Sequence, residues 1–501
     1  MKRTSLTTAV IAGLAGVAGI ANMAGAVNLS TDGTGSVLIY PYYTVNSNNV
    51  TLLSVVNTTG EGKAVKVRFL EAYNSREVLD FNLYMSPYDV WTAEIDPVGA
   101  GAGVTTNDNS CTVPTVKGTT VPFVNYAYAG GNSDTGPSGL SRTKEGYVEL
   151  IEMGTVNNAT SVWKGGGVLN AITHSNGVPA SCATVLGGWG YGPGTKFWAA
   201  PNQQLDIGAP DGGLFGSGTI VNVGQGTVEG YNADALEGFY AAGSTATHTA
   251  PGSINPNLSN GTSKTAYTFN TNGSGNVSLA TTSFASAVDA VSAVFMTDNV
   301  YNEYVVDPAY GQSTEWVVTF PTKRFYVDFP SLIKKTTTVP AFKPFDVIFG
   351  SGYGVGYAGT SCSPVSVTVY DREEGTPTSQ PGFSPPPPGG AGPALCWEAN
   401  VITFNQSGGT STVLGSGLVS NINLPTGFKA GWANLSFDDG TTNQHVLTAT
   451  GGNAFRGLPA TGFSVEQTIN AGVTAGVLAN YTALYNHKYN RLCANGGNAC
   501  S

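Results

Sequence analysis

The residues in this sequence whose type and placement best fit a catalytic role are carboxylates. Glu149 lies in a strand-forming run, Gly146–Met153, and Asp371 and Glu373 lie where another such run ends, in Asp371–Glu374. Paired carboxylates at strand ends are what glycoside hydrolysis requires, since one acts as the acid and the other as the base or nucleophile. These three residues are therefore candidate catalytic carboxylates. The alternative, which we favour for Asp371–Glu374, is a solvated turn with an internal ion pair.

Aromatic residues provide a second candidate site. Trp189, Tyr191, Phe197 and Trp198 lie within ten positions, separated by glycines. Aromatic rings supply large, rigid contact surfaces, so Trp189, Tyr191 and Trp198 are candidate glycan-stacking residues. The other interpretation, that the same rings pack inside against a sheet, is favoured over ligand binding.

Signatures of common enzymes are missing from the chain. There is no GxSxG, HExxH or Walker loop, and no GxGxxG stands between a strand and a helix. Calcium binding stays open at two oxygen-rich runs, Asn107–Asn109 and Asp438–Gly440, although neither has EF-hand spacing. A Ser-His-Asp site built from distant residues also stays open, because geometry defines such sites. We assign no catalytic residue and no metal ligand, and expect no cofactor besides calcium. Enzyme activity stays open, with a non-enzymatic role favoured.

The first 26 residues predict export. Met1–Arg3 is basic, Leu6–Ala21 is apolar and uncharged, and Ala24–Ala26 has the small-x-small pattern that precedes signal-peptide cleavage, which would leave Val27 first. The apolar run is shorter than the roughly 20 residues that span a bilayer, and no later run resembles a transmembrane helix. The expected location is extracellular or at the cell surface, with the periplasm as the alternative.

Charge and composition narrow the classes of partner. Only 11% of the residues are charged, 67 are glycine, and the formal net charge is −10. Removing the signal peptide takes two basic residues, so the mature chain is more acidic still. Nucleic acid is excluded as a partner, because its phosphates demand clustered Lys and Arg. The remaining candidate partners are the protein itself, other cell-surface components and glycans.

The cysteines fit an oxidising compartment. Six are present, none in a CxxC pair, and an even count after export predicts three disulfides. Six cysteines allow 15 connectivities, of which we favour nearest-neighbour pairing. The expected pairs are Cys111 with Cys182, Cys362 with Cys396, and Cys493 with Cys500.

Hydrophobic patterning predicts strands over most of the chain. In Ala64–Tyr73 and Val78–Met85 apolar residues alternate with polar ones such as Lys66 and Arg68, which predicts one buried and one solvent-facing side. Asn74–Arg76 has the length and chemistry of a hairpin turn between them. The expected fold class is all-β, mainly an antiparallel β-sandwich, with one or two short helices and long loops rich in Gly, Ser, Thr and Asn.

The chain divides into four segments on this basis. After the signal peptide, 1–26, come an N-terminal β region, 27–242, a low-complexity linker or loop, 243–283, and a C-terminal β region, 284–501. The linker assignment rests on its Ser, Thr, Asn, Gly and Ala content. The one convincing helix begins the last segment, at Phe284–Met296, where apolar residues recur every three or four positions.

Two resemblances add to this interpretation. Val37–Tyr43, Ser86–Trp91, Trp316–Tyr326 and Asp371–Glu374 resemble runs found in uncharacterised secreted or cell-surface proteins of Gram-negative bacteria. That resemblance implies export and carries no active site. The strand rhythm of Asp32–Asp96 is similar to immunoglobulin-like β-sandwich modules, a likeness of fold that does not determine function.

Together these observations favour a secreted, non-enzymatic cell-surface or extracellular protein with a structural or interaction role. The alternative is a secreted glycan-binding protein or a carboxylate-dependent glycoside hydrolase. Exposed Trp and Tyr beside two carboxylates in one cleft would favour the alternative. Buried aromatics and scattered carboxylates would favour the first hypothesis.

Overall fold

The fold is described from a computed structural model of the chain. The described residues are 25–134, 136–162, 164–194, 196–271, 277–328, 343–345, 361–377, 381–384, 393–406, 408–437, 445–470, 476–477 and 479–492. The predicted signal peptide therefore lies almost wholly outside the described residues.

The N-terminal half forms a sandwich of two antiparallel sheets. One sheet has the strand order β1-β15-β2-β10-β4-β5-β8 and the other the order β14-β13-β3-β6-β7-β9, while β11 and β12 form a separate short hairpin. The strands are β1 Asn28–Leu29, β2 Val37–Thr44, β3 Val50–Asn57, β4 Gly62–Glu71, β5 Glu77–Met85, β6 Val90–Val98, β7 Gly101–Thr105, β8 Cys111–Val113, β9 Val121–Pro122, β10 Glu145–Val156, β11 His174–Ser175, β12 Val178–Pro179, β13 Leu214–Asn222, β14 Thr227–Asn232 and β15 Asp234–Glu237.

The predicted β4–β5 hairpin is present, but its expected solvent-facing side is buried. Lys66 and Arg68 of β4 are almost fully buried, whereas alternation predicted them in water. Lys66 donates to the carbonyl oxygen of Ala250 and to Asp80, at 2.8 and 2.9 Å, and Arg68 donates to Glu77 at 2.7 Å. The prediction was wrong here because a second layer of chain covers this face of the sheet, and ion pairs compensate the buried charges.

The C-terminal half contains a second pair of sheets. Their strand orders are β22-β26-β19-β32 and β25-β24-β20-β30-β31, and β24–β25 is a parallel pair. The strands are β16 Thr265–Thr271, β17 Val277–Ser283, β18 Met296–Thr297, β19 Asn299–Val305, β20 Gln312–Thr319, β21 Ser363–Pro364, β22 Ser366–Asp371, β23 Ala394–Leu395, β24 Ala399–Phe404, β25 Val419–Ile422, β26 Ala430–Ser436, β27 Val446–Thr448, β28 Ala454–Arg456, β29 Leu458–Pro459, β30 Thr461–Thr468, β31 Tyr481–Asn486 and β32 Lys488–Asn490.

Helices are few and short in the described residues, as the predicted fold class requires. The α-helices are α1 Val168–Ile172, α2 Cys182–Trp189, α3 Ala287–Phe295 and α4 Arg324–Val327, and the 3₁₀ turns are Asn46–Asn48, Tyr126–Tyr128, Gly130–Asn132, Leu140–Lys144 and Pro308–Tyr310. The predicted helix at Phe284–Met296 is confirmed as α3. Ser286 caps it by accepting a hydrogen bond from the backbone N–H of Asp289 at 3.2 Å.

The segment 243–283 differs in part from the expected linker or loop. Its second half contains the antiparallel hairpin β16–β17. Ala266 of β16 is buried and bridges Val27 near the chain's beginning. Small residues alternating with Tyr267 and Phe269 suffice for this hairpin, so low complexity did not exclude a strand.

Two of the three predicted disulfides are present. Cys111 bonds to Cys182, joining β8 to α2, and Cys362 bonds to Cys396, beside the short pair β21–β23. The predicted Cys493–Cys500 pair lies outside the described residues. None of the helices within the described ranges is long and apolar enough to cross a membrane.

Candidate functional site

Glu149, the first candidate carboxylate, is a structural group. It is fully buried on β10, and its carboxylate lies 2.5 Å from the guanidinium of Arg68 and 3.5 Å from that of Arg324. A fully buried carboxylate held between two arginines is closed to substrate. Glu149 therefore holds β10, β4 and α4 together.

Asp371 and Glu373 form the solvated turn that the sequence favoured. One oxygen of Asp371 accepts the backbone N–H groups of Glu373 and Gly375, at 3.0 and 2.6 Å. Glu373 is largely exposed and pairs with Arg372 at 2.8 Å. Both residues follow β22 in the C-terminal half, whereas Glu149 lies on β10 in the N-terminal half. The structure does not bring the candidate carboxylates into one cleft.

Two of the three candidate stacking residues are core residues. Trp189 and Trp198 are buried, with ring centroids 5.3 Å apart, and they pack around His248. Burial of this imidazole lowers the pKa of His248 to about 3, so it is neutral at physiological pH. Tyr191 alone is exposed, at 53%. This cluster anchors the segment after β15 and α2 on the seven-stranded sheet.

The oxygen-rich loop at Asn107–Asn109 uses its oxygens internally. Asp108 accepts hydrogen bonds from the backbone and hydroxyl of Ser110 at 2.8 and 2.7 Å, and Asn109 accepts from Lys117. The second calcium candidate, Asp438–Gly440, lies outside the described residues. No group of three His, Cys, Asp or Glu side chains suited to a metal ion occurs in the described part of the chain.

A titratable cluster lies where the two halves meet. Glu398 accepts a hydrogen bond from the Ser75 hydroxyl at 2.9 Å, and Tyr147 donates to the same hydroxyl at 2.7 Å. Burial raises the pKa of Glu398 to about 8 and lowers that of Lys323 to about 8. All four side chains are buried, so this cluster is a polar joint within the fold rather than a site that a ligand can enter.

The outer face of the six-stranded sheet carries an open groove of about 560 Å³. Ser54, Thr92 and Ser217 form one cross-strand row along it, and the hydroxyls of Ser54 and Ser217 are 2.9 Å apart. Glu94 and Asp108 also line it. Strand alternation produces this surface, because residues two apart on β3, β6 and β13 share a face. The groove offers hydroxyl and carboxylate oxygens at an exposed surface.

A second groove, of about 470 Å³, adjoins the first, because Ser217 and Thr219 line both. Its other wall comes from the C-terminal half, through Tyr485 of β31 and Lys488 of β32. The halves join here, since the hydroxyl of Thr482 donates to a carbonyl oxygen of β14 at 2.6 Å. The two grooves therefore form one polar surface that crosses from one sandwich to the other.

Large apolar side chains flank this polar surface. Phe215, Val56 and Val90 are cross-strand neighbours in one row of the same sheet face, and Phe215 and Val90 are exposed. Leu52 is also exposed, two residues before the groove residue Ser54. An exposed apolar row on an open sheet face is a feature of surfaces that contact another molecule.

An aromatic group that the sequence did not predict lies on the outer face of the four-stranded sheet. Tyr370 of β22 and Trp432 of β26 are register partners, with ring centroids 4.3 Å apart and planes at 10°. Tyr301 of β19 lies 6.3 Å from Trp432. Gly431 permits the close approach of β22 and β26, because a Cβ there would overlap the carbonyl oxygen of Tyr370. The sequence signal that could have placed Trp432 on the outer face was the period-2 alternation in Ala430–Ser436.

A comparison with protein-family models finds no match, and comparisons with curated proteins and with solved structures find none either.

Proposed function

We propose that this protein is an exported, non-enzymatic component of the cell surface or extracellular space that works by association through the outer faces of its sheets. The observation that carries the proposal is the open face of the six-stranded sheet, where an apolar row made of exposed Phe215, half-buried Val56 and exposed Val90 flanks a polar groove. Patches of this kind mark contact surfaces, whereas scattered single residues do not. The protein's own second copy is the partner we test first.

The chemistry of the candidate catalytic residues supports a non-enzymatic role. Glu149 is closed off between two arginines, and Asp371 and Glu373 make a surface turn. Two disulfides support export to an oxidising compartment. Membership in a group of Gram-negative surface proteins and an immunoglobulin-like character of the first strands belong to the same proposal, as does signal cleavage before Val27. Intact mass of the exported protein tests that cleavage.

Light scattering coupled to size-exclusion chromatography tests the association. The sample is the oxidised chain Val27–Ser501 across a range of concentrations. We expect mass above that of the monomer that increases with concentration. The paired change Phe215→Ser and Val90→Thr should shift the protein toward monomer. The control is Ile254→Ser, which removes an exposed apolar residue from a loop.

Two outcomes would contradict association through this face. The unaltered protein could remain monomeric at every concentration tested. Alternatively, the Phe215/Val90 variant and the Ile254 control could change the measured mass equally, in which case the six-stranded sheet has no special part in it.

A further inference from the structure

Trp432 is exposed in a way that the other described tryptophans are not. Trp91, Trp198 and Trp316 are fully buried, whereas Trp432 keeps 41% of its surface in water near the middle of a sheet face. Leaving apolar ring surface in water forgoes the stabilisation that burial would give. Exposed Trp and Tyr in a cluster are typical of surfaces that bind a partner.

The residues around the aromatic group are polar and face the same way. Asn434 is the register partner of both Tyr301 and Thr368, and Lys488 is the partner of Tyr301 on the other side. Register therefore places the polar side chains of Asn434, Thr368 and Lys488 beside the aromatic group on one face of the sheet.

The charges at this face select an uncharged ligand. Glu303 lies opposite Trp432 in register and Lys488 lies opposite Tyr301, so one negative and one positive group flank the rings. The whole chain has a net charge of −10, which disfavours an acidic polymer. The face is an open sheet rather than the concave pocket that small molecules need, which favours a polymer.

We propose that Tyr301, Tyr370 and Trp432 form a binding platform for a neutral polysaccharide. The C–H groups of a sugar ring carry partial positive charge and pack against the negative faces of aromatic rings. The sugar hydroxyls exchange hydrogen bonds with the exposed side chains of Glu303 and Lys488, which flank the rings. Lys488 also lines the groove at the junction of the two halves, so the platform adjoins that groove.

The test is affinity electrophoresis of Val27–Ser501 in gels containing one polysaccharide each. Four neutral polymers, β-1,3-glucan, xyloglucan, galactomannan and dextran, are compared with acidic alginate. We expect at least one neutral polymer to retard the protein and alginate not to. Trp432→Ala and Tyr301→Ala should weaken that binding by roughly tenfold or more. The control is Tyr310→Ala, an exposed tyrosine of the same half.

Acrylamide quenching keeps the proposal testable if Trp432→Ala does not fold. An oligosaccharide of the bound polymer should protect the fluorescence of the unaltered protein, because Trp432 is the most exposed of the described tryptophans. Three results would overturn the proposal: no retardation by any neutral polymer, retardation by alginate alone, or equal binding by the Trp432 variant and the Tyr310 control.

This inference rests on the aromatic side chains of the four-stranded sheet, whereas the proposed association rests on the apolar row of the six-stranded sheet. The Phe215/Val90 variant should still bind polysaccharide, and the Trp432 variant should still associate. Loss of one property without the other therefore shows which proposal has failed. If the unaltered protein binds no polysaccharide and the Trp432 variant no longer associates, the face that carries Trp432 is a protein contact instead.

Discussion

At the scale of single residues, the N-terminal half contains several buried charges that form ion pairs. Arg142 is the clearest case. Its guanidinium donates to Glu71 at 2.7 and 3.0 Å and to both oxygens of Asp134, and it lies over the rings of Tyr73 and Tyr128. Burial opposes ionisation of Asp134, but the hydrogen bonds from Arg142 outweigh it and hold the pKa of Asp134 below its ordinary value.

We predict that Arg142→Met lowers the free energy of unfolding by about 3 to 5 kcal/mol, because it leaves two carboxylates buried without their cation. Urea denaturation at pH 7 measures it. The matched control is Arg372→Met, which breaks an ion pair at the surface and should change stability by less than about 0.5 kcal/mol. Equal effects from the two changes would contradict the importance of burial.

Glu229 is a buried ionisable group whose removal should increase stability, in contrast to the removal of Arg142. It is buried on β14, one of its oxygens has no hydrogen-bond partner, and burial together with repulsion from Glu315 raises its pKa to about 7. The unfolded chain has the ordinary value of 4.5. The folded state therefore holds this proton more tightly, and stability falls as the pH rises from about 4.5 to about 7.

Glu229→Gln removes that cost of ionisation. We expect the variant to be more stable than the unaltered protein by about 3 kcal/mol at pH 8, since the pKa rises from 4.5 to about 7 and one pKa unit corresponds to about 1.4 kcal/mol. At pH 4.5 the two proteins should differ little. Thermal unfolding at both pH values measures this, with the exposed Glu373→Gln as control. A variant less stable at pH 8 would show that the carboxylate is needed where it lies.

Residue types alone could not separate these roles. The sequence identified Glu149 as a carboxylate on a strand, but its partners Arg68 and Arg324 come from positions far away along the chain. Trp189 and Trp198 were correctly weighed toward the core. Trp432 was missed because its aromatic neighbours Tyr301 and Tyr370 lie on different strands, and only sheet register brings the three together.

At the scale of elements, local patterns predicted more. The β4–β5 hairpin and helix α3 follow from alternation and from three- and four-residue spacing, which are properties of the segment itself. What covers each face of a sheet is not a property of the segment, because distant parts of the chain provide the cover. The layer over Lys66 comes from residues near Ala250, in a segment expected to be a linker.

The disulfide between β8 and α2 provides a prediction at this scale. Cys111–Cys182 spans 71 residues and Cys362–Cys396 spans 34. Replacing each pair with serines should cost about 2 to 5 kcal/mol. The shorter loop should cost about 0.6 kcal/mol less, because loop-closure entropy grows slowly with length. Guanidinium denaturation under oxidising conditions measures both, and unchanged midpoints in the two variants would contradict the prediction.

At the scale of the whole molecule, the two sandwiches share contacts that the sequence division at 243–283 did not anticipate. Phe463 of β30 stacks on Tyr231 of β14 with centroids 5.1 Å apart. Thr319 of β20 donates to the carbonyl oxygen of Pro41 in β2 at 2.7 Å, and Glu398 binds Ser75 in the β4–β5 turn. Apolar residues of both halves belong to the same buried clusters.

We therefore predict that Val27–Ser501 unfolds in one cooperative transition, because opening either sandwich exposes apolar surface of the other. Calorimetry measures it, and Phe463→Ala provides the diagnostic change. The variant removes a buried ring at the junction and should reduce the free energy of unfolding by about 3 to 5 kcal/mol. The midpoint of the single transition should therefore fall as a whole. Two transitions, of which Phe463→Ala moves only one, would mean that each sandwich is stable without the other. In that case the fragment 27–242 should fold alone, whereas a shared core predicts that it aggregates.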